Sequence, residues 1–216
     1  MKKNLMFLLV GACLVLAGCA KKEAKVWVDT SDLKMYELTG NVKSVKAYAV
    51  KRGNEELVYT LAFDANGLAT THKHDLDLDI DANINVERNE KGEITVYNAA
   101  LPDAKKAKVN VEYTYNEIGQ AEKIVTVRDG WNKTTEKVKY DEQNNRLKTT
   151  SESYEDDMRI VDDITYNYKG YDEKGNWTER ELTIRNRTID WEGDVLHEQT
   201  IRRTEKREII YHPTEE

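Results

Sequence analysis

Residues 166–180 read YNYKGYDEKGNWTER, and this stretch shows how the chain is built. Aromatic residues alternate with polar ones up to Tyr171, and the turn sequence DEKG follows. An Asp at the first position of a turn accepts a hydrogen bond from the backbone two residues later, and a Gly at the fourth position tolerates a positive φ. The combination is typical of a type I turn with a G1 bulge, which connects two antiparallel strands.

The same pattern recurs along the chain: an aromatic or apolar residue, Asp or Asn, two polar residues, then Gly or Asn. Copies, some of them looser, begin at residues 63, 88, 115, 140, 171 and 189, so successive starts differ by 25, 27, 25, 31 and 18. The segments between them alternate polar and apolar residues, as in VNVEYTY at 109–115. Each unit contains a second, less regular turn, which predicts two strands per unit and about twelve strands in all.

The predicted fold is therefore all-β, an antiparallel meander of repeated hairpins that forms an open curled sheet or an incomplete barrel. The pattern alone does not decide between an open sheet, a barrel and a sandwich. Helical signals are confined to residues 31–39, where Thr30 or Ser31 can cap a short helix and Gly40 can stop it. The two prolines, at 102 and 213, leave the strand interiors unbroken.

The N-terminus carries a targeting signal. Two lysines precede an apolar run over residues 5–16, which is too short to span a bilayer comfortably. The next residues, LAGC, resemble the bacterial lipobox, which implies that the chain is cut before Cys19 and that the Cys19 thiol is acylated. In lipoproteins of this kind, a residue such as Ala20 after the cysteine favours the outer membrane.

Three parts are predicted from this signal. Residues 1–18 form a signal peptide that is removed, residues 19–28 form the lipidated cysteine and a polar tether, and residues 29–216 form a single β-repeat domain. The second cysteine, Cys13, would leave with the signal peptide, so a disulfide within the mature chain is excluded. We expect the lipid on Cys19 to anchor the protein in the cell envelope.

The composition limits the classes of function. The chain has 33 basic and 40 acidic side chains, a net charge of −7, and 39% hydrophobic residues. These values disfavour a polytopic membrane protein and a nucleic-acid partner. The 12 Tyr and 4 Trp suit a thin sheet with one covered and one wet face, which argues against a deep, dry catalytic pocket.

Residues 166–180 also resemble the YD repeats of Rhs-type proteins and, more closely, small secreted proteins and lipoproteins of Bacteroidetes-type bacteria. That group opens with L-x-G-x-V-K-S-V, here residues 38–45, and often ends near R-E-I-x-Y, here residues 207–211. The resemblance is diluted in the middle of the chain, where Arg88 and Asn144 replace the usual Tyr and Gly. It implies this architecture and no particular activity.

Residues 75–87, DLDLDIDANINVE, alternate acids or amides with apolar residues. In a strand, Asp75, Asp77, Asp79 and Asp81 would share one face, and their oxygens suit a hard cation such as Ca²⁺. The stretch lacks the Gly and Glu that an EF-hand loop requires, and same-face neighbours in a strand stand about 7 Å apart. A solvated acidic face on a half-buried strand is the simpler interpretation.

Two further groups of residues are weak candidates for a binding site. His72 and His74 have the i, i+2 spacing that can hold zinc or copper with a third ligand, although partly buried or edge histidines are the simpler interpretation. Trp131, Trp177 and Trp191 lie beside predicted turns, where they could stack on sugars or peptides or cover the sheet.

No catalytic residue can be assigned, because the sequence contains no G-x-S-x-G, H-E-x-x-H or Gly-rich phosphate loop. No cofactor is expected besides the covalent lipid on Cys19. The six arginines within residues 180–207 are interspersed with acids, which predicts cross-strand ion pairs.

The expected function is that of a non-enzymatic, lipid-anchored envelope protein, a binding or structural module for an unknown protein or glycan partner. A hydrolase of envelope material or polysaccharide, and a periplasmic metal-binding protein, are the alternatives.

Overall fold

The computed structural model describes residues 29–74, 85–100, 108–128 and 132–213. The described chain forms one antiparallel sheet of twelve strands and one short helix, which confirms the predicted all-β meander. The helix is α1 (Ser31–Met35), and the strands are β1 (Val42–Lys51), β2 (Asn54–Phe63), β3 (Ala69–His74), β4 (Asn85–Arg88), β5 (Ile94–Ala100), β6 (Lys108–Tyr115), β7 (Ala121–Arg128), β8 (Asn132–Tyr140), β9 (Arg146–Glu155), β10 (Met158–Tyr171), β11 (Trp177–Ile189) and β12 (Val195–Tyr211).

The sheet is open, and its strand order is a circular permutation of the chain order. It runs β3-β2-β1-β12-β11-β10-β9-β8-β7-β6-β5-β4, so the last strand pairs with the first. The two edge strands, β3 and β4, are neighbours in sequence that lie at opposite ends of the strand order. The open curled sheet, one of the predicted alternatives, is therefore the observed form.

The six repeated turns have the predicted chemistry. In each, the side-chain oxygen of the Asp or Asn accepts the N–H groups two and four residues later, at distances of 2.8 to 3.2 Å. The fourth turn residue has a positive φ, which is 85° at Gly175 and 67° at Asn144. Because these contacts are local, the same short sequence builds the same turn at each site.

Five of these turns lie at one end of the sheet, here called the lower end: residues 64–68, 89–93, 116–120, 141–145 and 172–176. The sixth, at 190–194, lies at the opposite, upper end, because only β11 separates it from the preceding turn. The short spacing of 18 residues reflects this single strand. The sixth copy is therefore not a further two-strand unit, which corrects the uniform repeat expected from sequence.

The helix is shorter than the predicted span of 31–39. The Thr30 side chain caps it by accepting the Leu33 N–H at 3.2 Å. It ends at Met35, and Glu37 then has a φ of 56°, a left-handed conformation that stops a helix. No helix in the described residues is long and apolar enough to cross a membrane.

The hydrophobic core lies near the lower end, on the face of the sheet that α1 covers. Leu33 and Leu38 pack there on side chains from β1 and β2, namely Val42, Val45, Leu61 and Phe63. The face that α1 covers is here called the inner face. Residues opposite one another in an antiparallel ladder share a face, so the register identifies the inner-face residues of all twelve strands.

Candidate functional site

Residues 29–41, here called the strap, cross the lower end and bind the turns around it. The Thr30 hydroxyl donates to Gly67 O at 2.6 Å, and Lys34 Nζ donates to Ile118 O at 3.1 Å. Asn144 Nδ2 donates to Lys34 O at 3.0 Å, and Thr39 N donates to Asn176 Oδ1 at 2.7 Å. These hydrogen bonds attach the strap to four of the five lower turns.

A buried carboxylate of the strap links the two edges of the open sheet. Asp32 is fully buried and accepts the backbone N–H of Ala69, the first residue of β3, at 2.8 Å. It also binds both terminal nitrogens of Arg88, the last residue of β4, at 2.8 Å. Asp32 therefore holds together β3 and β4, the two edge strands, which do not pair with each other.

A second buried carboxylate, Glu37, forms the centre of a charged cluster beneath the strap. Its Oε2 lies 2.7 Å from Arg180 and 4.0 Å from Arg207, and its Oε1 accepts the Arg146 N–H at 2.9 Å. The Tyr168 hydroxyl donates to the same Oε1 at 2.5 Å. Burial alone raises the pKa of Glu37, but the charges of Arg180, Arg146 and Arg207 outweigh it and lower the pKa from 4.5 to about 2.

Two of the three arginines of this cluster, Arg180 and Arg207, also pack on Trp177. The guanidinium carbons of Arg207 and Arg180 lie 3.6 Å and 4.1 Å from the centre of an indole that is completely buried. Arg180 continues to Glu205 of β12 at 2.7 Å, which is one of the predicted cross-strand ion pairs. This packing makes the cluster a structural element that fixes the strap to β10, β11 and β12.

Above this cluster, the inner face is arranged in layers that the register defines. An apolar layer comes first and consists of Val138, Thr149, Ile164, Ile184 and Ile201. The next row towards the upper end is polar and consists of Glu136, Ser151, Asp162, Asn186 and Gln199. The row beyond it is also mostly polar and consists of Thr126, Thr134, Ser153, Ile160, Thr188 and His197.

These two polar rows, here called the upper inner face, are half-buried or exposed, whereas Val138 and Thr149 in the layer below them are buried. Asn186 Nδ2 donates to Asp162 Oδ1 at 2.7 Å, which orients both side chains. A cavity of about 210 Å³ lies at the upper end of β7, β8 and β9, and it is lined by Thr126, Arg128, Asn132, Lys133, Thr134, Ser153, Tyr154 and Glu155. The surface offers many hydroxyl and amide groups, which suit a polar ligand.

The predicted stacking residues have different environments. Trp177 has no face free for a ligand, because the core and two guanidinium groups enclose it. Trp191 is 80% exposed in the upper turn, where its ring is accessible. Trp131 lies outside the described residues.

Most of the other predicted site residues, or their side chains, lie outside the described part of the chain. The backbones of His72 and His74 belong to β3 and pair with Leu61 and Tyr59, but their side chains are outside the described part. Asp75, Asp77, Asp79, Asp81 and Cys19 also lie outside it. The metal and lipidation hypotheses therefore remain predictions.

A cluster of three carboxylates that was not among the predicted sites lies at the upper turn. Asp190, Glu192 and Asp194 offer oxygen atoms within 4.8 Å of one another. One oxygen of Asp190 already accepts the backbone N–H groups of the other two residues, at 3.0 and 2.8 Å, as in the five lower turns. Turn chemistry accounts for the cluster, and acids at turn positions one, three and five are its only sequence signal.

Comparisons with known proteins give little further information. No family model matches the chain, and no curated protein matches it. Among solved structures, a porin-like protein from Bacteroides uniformis ATCC 8492 is similar over 80% of this chain and 99% of that one, with 12% sequence identity and a TM-score of 0.35. At this TM-score the similarity supports no statement about function, and the resemblance to YD repeats stays a prediction.

Proposed function

We propose that this protein is a non-enzymatic binding module of the cell envelope, anchored by lipid on Cys19, whose upper inner face binds a glycan. The observation that carries this proposal is the pair of polar rows on five adjacent strands. Their hydroxyl, amide and carboxylate groups match the alternating donors and acceptors of sugar hydroxyls. Neighbouring strands stand about 4.8 Å apart, so the rows offer a regular ladder of hydrogen-bonding groups to an extended chain.

The ligand hypothesis is tested by glycan-array binding of the full-length lipoprotein in detergent. The variant Asn186→Leu keeps the side-chain size but removes the donor to Asp162 and the groups that contact a ligand. Loss of such hydrogen bonds costs about 1–3 kcal/mol, so we expect binding to weaken by about tenfold or more. The control is Asn167→Leu, an exposed position of β10 on the opposite face. Equal binding by both variants would contradict the site.

The anchor is tested separately, by labelling cells with a radioactive or clickable palmitate. We expect the wild-type chain to incorporate the label and to sediment with the outer membrane. Cys19→Ala should lose the label and remain uncleaved at the signal peptide, since the cysteine is both the acylated residue and the residue after the cut. A Cys19→Ala protein that is still cleaved and membrane-bound would contradict lipid anchoring.

Within the upper inner face, all of whose residues the structure describes, the hydrolase alternative has one pair of carboxylates. Glu136 and Asp162 lie in the same row of the upper inner face, separated by β9. Two strand spacings place their backbones about 10 Å apart, and the two carboxyl groups of inverting glycosidases are about 6.5–9.5 Å apart. Release of reducing ends from a bound glycan, abolished by Glu136→Gln, would favour this alternative over a simple binding module.

A further inference from the structure

The upper half of β12 is an open edge of the sheet. β12 pairs with β11 from Val195 to Lys206, but its pairing with β1 covers only Thr204 to Tyr211. Residues 195–203, here called the free edge, therefore have a ladder partner on one side only within the described chain. Nine residues of a strand span about 30 Å, and their outward-facing N–H and C=O groups can pair with another extended chain.

The two ends of the free edge differ in chemistry. Its upper end is apolar, since Trp191, Val195 and Leu196 are 80%, 52% and 59% exposed. Its lower end is basic: Arg202 and Arg203 are exposed and form no ion pair with another described residue. The β1–β2 turn adds the exposed Arg52 at the same level, because Val50 of β1 pairs with Thr204.

A second copy of this chain does not fit the free edge. Antiparallel pairing of two β12 strands would match Glu198 with Arg202 only if Thr200 lay on the two-fold axis. That register places Leu196 of the second copy opposite Thr204, a position that Val50 already occupies. The register that keeps to residues 195–203 has its axis at Gln199 and sets Leu196 and Val195 of the second copy opposite Arg202 and Arg203, so it gives the two arginines no acidic partner.

The geometry points to strand addition by a segment of another protein, extended over about eight residues. Its acidic end would face Arg202, Arg203 and Arg52, and its apolar end would pack on Leu196 and Trp191. Backbone hydrogen bonds to the free edge supply affinity in this mode of recognition, and the charged and apolar ends fix the register. The free edge shares His197 and Gln199 with the upper inner face but uses their backbone groups, so it does not depend on the proposed glycan site.

Fluorescent peptides test this inference with the full-length protein in detergent. The probes are VTVTVTEE and its reversed sequence, which allow either strand direction, together with VTVTVTKK and its reverse. We expect one acidic peptide to bind at least tenfold more tightly than its basic counterpart. The double variant R202E/R203E should reverse this preference, whereas K137E/K139E, with the same change in net charge on exposed positions of β8, should leave it unchanged.

A second probe separates strand addition from simple charge attraction and requires no variant. The acidic peptide N-methylated at alternate residues keeps its charge but cannot complete a ladder of hydrogen bonds, so we expect its binding to fall at least tenfold. Equal binding of the methylated peptide, an absence of acidic preference, or a preference that R202E/R203E does not reverse would each overturn the inference.

Discussion

Replacing Glu37 by Gln should weaken the attachment of the strap to β9, β10, β11 and β12. The substitution keeps the shape of the side chain but removes the charge that Arg180, Arg146 and Arg207 surround. The pKa of Glu37 falls from 4.5 to about 2, a difference of about 2.5 units. At 1.36 kcal/mol per unit, this corresponds to about 3 kcal/mol of folding free energy at pH 7.

The sign of the pH dependence follows from the direction of this shift. Because the pKa of Glu37 is lower in the folded chain than in the unfolded chain, the unfolded chain binds more protons between about pH 5 and pH 2. The contribution of Glu37 is therefore complete above about pH 5 and is lost as the pH falls towards 2. The difference between wild type and Glu37→Gln should shrink over the same range.

Urea denaturation followed by far-ultraviolet circular dichroism at pH 7, 5 and 3 measures this difference. The matched control is Glu198→Gln, which removes an exposed carboxylate that binds Arg185 through both oxygens. We expect little change for the control, because solvent screens exposed pairs. A loss below about 1 kcal/mol at pH 7 for Glu37→Gln, or the same loss at pH 7 and pH 3, would refute this account of the cluster.

Three further predictions concern other parts of the fold. Gly175→Ala introduces a side chain at a φ of 85°, which should cost about 1–2 kcal/mol in a urea titration, while Gly175→Asn should cost less because Asn tolerates this conformation. Trp177→Leu should lower the free energy of unfolding by several kcal/mol, on the order of other large core truncations, whereas Trp191→Leu should leave the thermal midpoint unchanged. Asp32→Ala leaves the Arg88 guanidinium without its buried partner and should cost about 3–5 kcal/mol. Amide hydrogen exchange should become faster in β3 and β4 than in β10. Equal acceleration in all three strands would contradict the role of Asp32 in joining the two edge strands.

The turns could be predicted from sequence because their chemistry is local. Asp172 accepts N–H groups from residues only two and four positions away, so five consecutive residues contain the whole interaction. The position of a turn relative to the others is not local. The turns at 172–176 and 190–194 share the same hydrogen bonds and lie at opposite ends of the sheet, because the number of intervening strands decides this.

The cluster around Glu37 could not be predicted in the same way. Its contacts join residues separated by 109 positions to Arg146, 143 to Arg180 and 170 to Arg207. The sequence showed arginines among acids and suggested ion pairs, but it did not show that one strap residue would gather three of them. Trp177 illustrates the same limit, since a turn-adjacent tryptophan is either enclosed or exposed depending on which face of the sheet is covered.

The pairing of β12 with β1 also determines when the molecule can complete its structure. Asn41 and His212, 171 residues apart, are joined at the lower end by hydrogen bonds of 2.9 Å in both directions. The hairpins of β1 to β3 and of β4 to β12 can form from neighbouring sequence as the chain is made, but the pairing of β1 with β12 and the contact of the strap with Arg207 must wait for the last strand. The strap is therefore made well before β12, and a truncation that removes β12 should leave the strap attached only through the lower turns and β9 to β11.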